Sequence, residues 1–271
     1  MTDMFDVAVS ATIGTGVAKT QLNGAASLLT PQNARCLKEV IGYQAESGAY
    51  TAAQSLLTEV HVESNAFPIV PKRFILPPIG AGLGTSFGTL IPIIEAMECN
   101  SPINGVGAID YFGQAQVANT VAPRVGVGVH YNDIGPQAPE IFYNKPADET
   151  STGTTAVTKV AGGTITISGG ARIVEINGAV SAGTVTLSED YIGFLSFESN
   201  DFINTFALRV PNQPTASSLG TLVGTQTPKM SRYKNIDVPM QTNATVSTFY
   251  TQEEALTAAG NFINGVGYTK V

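Results

Sequence analysis

The chain has 271 residues, with 14 Lys and Arg against 21 Asp and Glu, a formal net charge of −7 and a pI near 4.8. That balance argues against direct nucleic-acid binding, which needs a basic patch, and Lys72-Arg73 is the only adjacent basic pair. No apolar run approaches the ~18 residues of a membrane-spanning helix, and the opening Met-Thr-Asp-Met-Phe-Asp lacks the basic start of a secretory leader. Charged residues make up 13 % of the chain, against roughly 25 % in an average soluble protein. So few charges predict a molecule that hides much of its flank against neighbours.

Residues 1–20 are small, β-prone and interrupted by Gly14 and Gly16. They have no good counterpart later in the chain and read equally as an arm or edge strand reaching a neighbour and as a first strand of the core; the domain division below sets 1–20 apart as an N-terminal arm. From there onward the sequence repeats itself. Ala34-Arg35, Glu39-Val40-Ile41-Gly42 and Glu63-Ser64-Asn65-Ala66-Phe67 return as Ala171-Arg172, Glu175-Ile176-Asn177-Gly178 and Glu198-Ser199-Asn200-Asp201-Phe202. Leu83-Gly84-Thr85 returns as Leu219-Gly220-Thr221, and Gly126-Val127-Gly128 as Gly265-Val266-Gly267. The offsets stay between 135 and 139 residues and the order never changes. A long internal repeat fixes the architecture before any motif is read. Here it predicts two tandem domains, 21–140 and 154–271, joined by a linker at 141–153 rich in Pro, Asp, Glu, Thr and Ser.

Within each copy the period is two. Val60 and Val62, like Leu195 and Phe197, fall on one face and predict core, whereas Glu63 and Glu198 fall on the other and predict solvent. Asn65 and Asn200 then turn the chain, and Phe67 and Phe202 return it to the core. The second copy holds β-prone runs at 164–167, 171–180, 191–199, 206–210, 219–224, 229–239, 244–250 and 262–271. About eight short strands separated by Gly, Pro, Asn and Ser indicate a sandwich or barrel. A short helix is expected before the last strand of each copy, at Gln114–Ala118 and Gln252–Ala259.

The vocabulary of catalysis is sparse. His61 and His130 stand opposite Ser196 and Thr269 in the repeat and read as outward residues on strands. Cys36 stands opposite Ile173 and reads as a small buried residue, and with Cys99 it matches no metal spacing or disulfide framework. Gly80-Ala81-Gly82-Leu83-Gly84-Thr85 lacks the Lys-Ser/Thr of a phosphate loop and reads as a turn. Asp148-Glu149 and Glu253-Glu254 read as solvated linker and helix start. Arg35/Arg172 and Glu63/Glu198 are charges kept in both copies and are expected to form an equivalent ion pair in each domain. No catalytic, cofactor-binding or metal-ligating residue is nominated, no cofactor is expected, and no site for a structural ion stands out.

Two tandem eight-stranded β domains with short helices and few charges resemble the double jelly-roll major capsid proteins of tailless icosahedral viruses, the tectivirus–adenovirus lineage, in their compact form. The resemblance rests on duplication and architecture over residues 20–271. It implies an all-β double jelly roll and a non-enzymatic structural subunit located in the virion. It also implies a homotrimer of hexagonal outline that contacts neighbouring capsomers, minor capsid or penton proteins and an internal membrane beneath the shell. The competing reading is a cell-surface or appendage tandem β-sandwich, an adhesin or carbohydrate-binding protein. The absence of Trp platforms and of Asp-rich loops weighs against it. A two-domain barrel enzyme would need clustered His and carboxylate ligands, which the two unrepeated histidines do not supply.

Overall fold

The structure, a computed structural model, describes residues 3–13, 18–24, 27–45, 55–67, 72–80, 93–115, 124–146, 150–151, 153, 155–167, 169–181, 191–211, 231–241, 244–253 and 261–270. All regular structure among them is β-strand. The first half contributes β1 (Asp3–Thr12), β2 (Thr20–Gln21), β3 (Leu28–Leu29), β4 (Cys36–Ala45), β5 (Ser55–Ser64), β6 (Lys72–Gly80), β7 (Ile93–Pro102), β8 (Ala108–Ala115) and β9 (Arg124–Asn132). The second contributes β10 (Ile141–Asn144), β11 (Thr150–Ser151), β12 (Lys159–Ile167), β13 (Ala171–Ser181), β14 (Tyr191–Glu198), β15 (Phe206–Pro211), β16 (Ser231–Pro239), β17 (Ala244–Gln252) and β18 (Asn261–Lys270).

Strand order identifies the fold. The first half pairs as β1-β9-β4-β7 and β2/β3-β8-β5-β6; the second as β10/β11-β18-β13-β16 and β12-β17-β14-β15. With the eight strand positions of each half lettered B to I along the chain, both halves read B-I-D-G and C-H-E-F. That is the two-sheet, two-Greek-key jelly roll, built twice. Position C is split in the first half, and position B in the second. Alternation sets the layers: Val60, Val62, Leu195 and Phe197 are fully buried, as their period predicts. Among the described residues Tyr111, Tyr131, Tyr250, Phe74, Phe197 and Phe262 are the largest fully buried side chains and fill the sandwiches. Each such side chain contributes about 1.5–3 kcal/mol of transfer free energy.

Several expectations are corrected. Residues 3–12 are not a detached arm. They pair antiparallel with β9 from Asp3↔Asn132 to Thr12↔Arg124 and are the first core strand. Residues 141–144 and 150–151, expected in the linker, pair with β18. Pro146, which has no amide hydrogen to donate, lies between the two pieces. Gln114, Ala115 and Gln252 end strands rather than start helices; residues 116–118 and 254–259 lie outside the described residues, as do 83–89 and 219–225.

Register also corrects the repeat. Glu39 and Glu175 are equivalent, since each follows the same irregularity in its pairing with the last strand. Cys36 lies across from Asn132 and Arg172 across from Thr269, so Cys36 matches Arg172 rather than Ile173. Its burial at 1 % agrees with the expected role. Gly128-Val129-His130 matches Gly265-Val266-Gly267, a slip of two residues from the sequence alignment. A slip of two keeps every side chain on the same face, so face patterning could not expose it. Both G-position strands carry an irregularity beside an Asn in the left-handed region, Asn100 at φ 50° and Asn235 at φ 61°. Asn tolerates that region better than most residues.

Candidate functional site

The site with the most chemistry is the seam between the two jelly rolls. Contacts between the halves run from β5, β6 and β7 to β10 and β13. Thus the F-G flank of the first sandwich meets the outer face of the B-I-D-G sheet of the second. Ala179 and Ile263 of the second half belong to the apolar core of the first. Phe74 meets Tyr143 edge-to-face, with centroids 5.1 Å apart, a geometry worth about 0.5–1.5 kcal/mol beyond area.

Two buried charge clusters flank that apolar contact. In the first, Glu59 on β5 is fully buried and lies 2.7 Å from Arg73, 2.6 Å from His61 Nε2 and 2.8 Å from Lys145. Lys145, just after β10, is 6 % exposed, so the second half inserts its cation into the first half's carboxylate cluster. Burial acts to raise the Glu59 pKa, but the His61 hydrogen bond and the Lys145 charge outweigh it and hold the group at about 2. In the second cluster Arg232 on β16 grips Glu175 on β13 with both ends of its guanidinium, at 2.5 and 2.8 Å. It also donates to the Ala96 carbonyl on β7 at 2.9 Å. Tyr143 Oη donates to the Glu98 carbonyl at 3.2 Å and lies 3.4 Å from Glu175. Burial, then the Glu175 charge, pushes the Tyr143 hydroxyl far above its usual range. Asn177 completes the cage with a 3.0 Å bond to Glu175. A crevice lined by Arg73, Phe74, Ile75, Met97, Tyr143, Asn144, Lys145, Asn177 and Gly265 runs between the clusters. It is far smaller than the 300–1,000 Å³ cleft of an organic ligand.

The charges singled out in the sequence are placed differently from expectation. Glu63 and Glu198 take lysines in place of arginines: Lys19 and Lys159, each at 2.5 Å. Each lysine also lies over an aromatic ring, Phe112 at 3.9 Å and Phe249 at 4.0 Å. Register makes these equivalent members of both repeats, one Lys-Glu-Phe cluster on the outer face of each C-H-E-F sheet. Arg172 pairs with Asp237 at 2.5 Å, and Arg35 donates to the Ala34 carbonyl. The two arginines are one residue out of register, so they do not occupy equivalent places. His61 lies on the outer face of β5 but is 4 % exposed, because Glu59 and Glu63 flank it where the second half adjoins. His130 meets Glu39 at 3.1 Å. Both cysteines are buried thiols. Among the described residues, no three His, Cys, Asp or Glu side chains are grouped to hold a metal.

No family model matches the chain, and no curated protein matches it. Solved structures do. The major capsid protein of Sulfolobus turreted icosahedral virus, in its crystal structure, is 7 % identical with a TM-score of 0.44 over 97 % of both chains. A chain from the atomic structure of the same virus is 8 % identical with a TM-score of 0.47, covering 98 % of this chain and 90 % of that one. A chain of infectious bursal disease virus, Gx strain, is 10 % identical with a TM-score of 0.32, covering 99 % and 71 %. All three are structures of virus proteins.

Proposed function

We propose that the chain is a capsid building block, a non-enzymatic subunit whose two jelly rolls tile an icosahedral shell as trimers of hexagonal outline. The observation that carries this reading is the seam. It joins unlike surfaces, a flank of one jelly roll to a sheet face of the next, and such head-to-tail contacts close into a ring when the rotation between neighbours divides a full turn. The matching surfaces are the β1-β9-β4 face of the first half and the β15/β16 flank of the second, of which Arg232 reaches into the seam, at the Ala96 carbonyl. Three chains that repeat the seam between copies give six similar wedges. Fold alone does not define function; the duplicated, unlike-surface contact and the 13 % charged composition support this use of it.

One end of each sandwich bears the C-D, E-F and G-H connections. There Leu29, Val106 and Ile203 are 67, 53 and 98 % exposed. Leu29 and Val106 stand on the first sandwich and Ile203 on the second, and we assign that end of each to the shell interior, facing minor capsid proteins or a membrane beneath. Native mass spectrometry and negative-stain electron microscopy of the purified chain test the proposal. The expected result is a trimer with hexagonal outline. A monomer at all concentrations, particularly one retained on glycan arrays, would overturn it in favour of the surface module.

A further inference from the structure

The two equivalent carboxylates Glu39 and Glu175 have different surroundings. Glu175 receives a guanidinium from its own half, Arg232, with side chains only 5 and 8 % exposed. The residue equivalent to Arg232 in the first half is Ala96, since Asn177↔Arg232 matches Ile41↔Ala96 in register. Glu39 therefore has no Arg at that place. Glu39 meets His130 at 3.1 Å, and the residue across the ladder is another carboxylate, Glu98. Carboxylates directly opposite on neighbouring strands repel.

From the seam, we infer that the missing cation comes from a second copy of the chain, and that Glu39 of one copy pairs with Lys234 of the next, with Arg209 beside it. The reasoning transfers the internal seam by register. Within the chain, Tyr143 bridges Glu175 to the Glu98 backbone, and Ile75 lies against Gly265. The position equivalent to Glu98 in the second half is Lys234, and that equivalent to Ile75 is Arg209. Repeating the seam between copies thus sets Lys234 where Glu98 stands and Arg209 against Gly128, two residues along β4's partner strand from His130. Lys234 and Arg209 are exposed, as is their neighbour Tyr233 at 56 %. The first half's face offers Glu39 and Glu98 and the second half's flank offers Lys234 and Arg209, so the charges are complementary across the contact. At Phe5, the position equivalent to Tyr143 on β1, the aromatic residue type recurs too.

This inference rests on the assembly proposed above, and its test separates the two. Glu39→Lys and Lys234→Glu are made singly and together, with Glu39→Gln and Lys234→Met as milder variants in case a reversal impairs folding. Circular dichroism checks the fold, and native mass spectrometry follows subunit exchange between isotopically labelled and unlabelled oligomers. Each reversal should speed exchange or dissociation at least tenfold, each neutral variant should do so severalfold, and the double reversal should return to within threefold of the parent. A parent oligomer indifferent to the single changes, or a double reversal that fails to recover, overturns the ion pair while leaving the assembly intact. A parent that never assembles overturns both.

Discussion

Replacing Arg232 by Met takes the cation out of the buried pair at the seam. Glu175 and Arg232 side chains are 5 and 8 % exposed, and the grip is two-pronged at 2.5 and 2.8 Å. Solvent therefore screens the pair little, and removing one partner of such a pair costs about 3–5 kcal/mol because the other charge stays buried. Asn177 and Tyr143 remain to solvate the carboxylate, which places the cost near the lower end, about 3 kcal/mol. The Ala96 carbonyl also loses its donor. For a chain of this size that corresponds to a fall of about 6–12 °C in Tm. Because Trp is absent, the transition is followed by far-ultraviolet circular dichroism in urea and on heating. The double variant Arg232→Met/Glu175→Met should recover to within about 1 kcal/mol of the parent, since a buried pair and a well-packed apolar substitute are close in free energy. A single variant costing less than about 1 kcal/mol would refute the claim that this pair is buried and joins the halves.

Other outcomes follow from the same geometry. The Glu59 pKa falls on folding from about 4.5 to about 2, so its contribution is full above pH 4.5 and is lost as pH drops towards 2. In urea titrations between pH 5 and pH 2 the parent should lose about 3 kcal/mol more than Glu59→Gln; equal losses would remove the cluster from the account. Asn264 is 1 % exposed and its side-chain oxygen has no partner among the described residues, although its amide donates to the Ser196 and Phe249 carbonyls. The first half has Val127 at that place, and Asn264→Val should raise stability by about 1–2 kcal/mol, read as a higher Tm. Burial, then the Glu140 charge, pushes the Cys36 thiol up to about 11, and Cys99 is fully buried. Neither should react with Ellman's reagent at pH 8 until the chain is unfolded, when both should; a fast-reacting thiol in the folded protein contradicts this packing.

Periodicity carried the fold because a half-buried strand must alternate, so Val60/Val62 and Leu195/Phe197 announced the C-H-E-F sheet of each half without tertiary knowledge. Three things escaped it. β10 is four residues long and ends near Pro146, so its composition reads as linker; only its pairing with β18 makes it a strand. The offset at Gly126–Gly128 slipped by two residues because period two hides such a slip. The seam itself was invisible for a different reason. Glu59, His61 and Arg73 sit on the face that patterning assigns to water, yet Glu59 and His61 are buried where Lys145 and its neighbours come in from the other half, and Arg73 stays at the exposed rim. A charged residue on an outward face looks the same in sequence whether solvent or another domain covers it. A repeated Lys at the start of the C-position strand, Lys19 and Lys159, and a repeated Phe, Phe112 and Phe249, were present as signals. They become legible only when the copies are aligned by ladder register.

The differences between the copies explain how the seam keeps its order. If both halves were identical, either sheet face could dock on either flank, and a chain could close on a neighbour where it should close on itself. Register shows where that degeneracy is broken. The flank of the first half carries Glu59 and Arg73; the equivalent places in the second are Phe194 and Ala207. The face of the second half brings Lys145 and the Glu175–Arg232 pair; the first half has Ala96 in place of Arg232. A second-half face docked on a second-half flank would bury Lys145 against Phe194 and Ala207 with no carboxylate to meet it. An unpaired buried ammonium costs several kcal/mol, enough to reject the wrong partner by more than a hundredfold. Buried charge is a weak source of net stability, but it discriminates well between competing contacts. In this chain it sits where two copies of one fold must tell their own partner from another's.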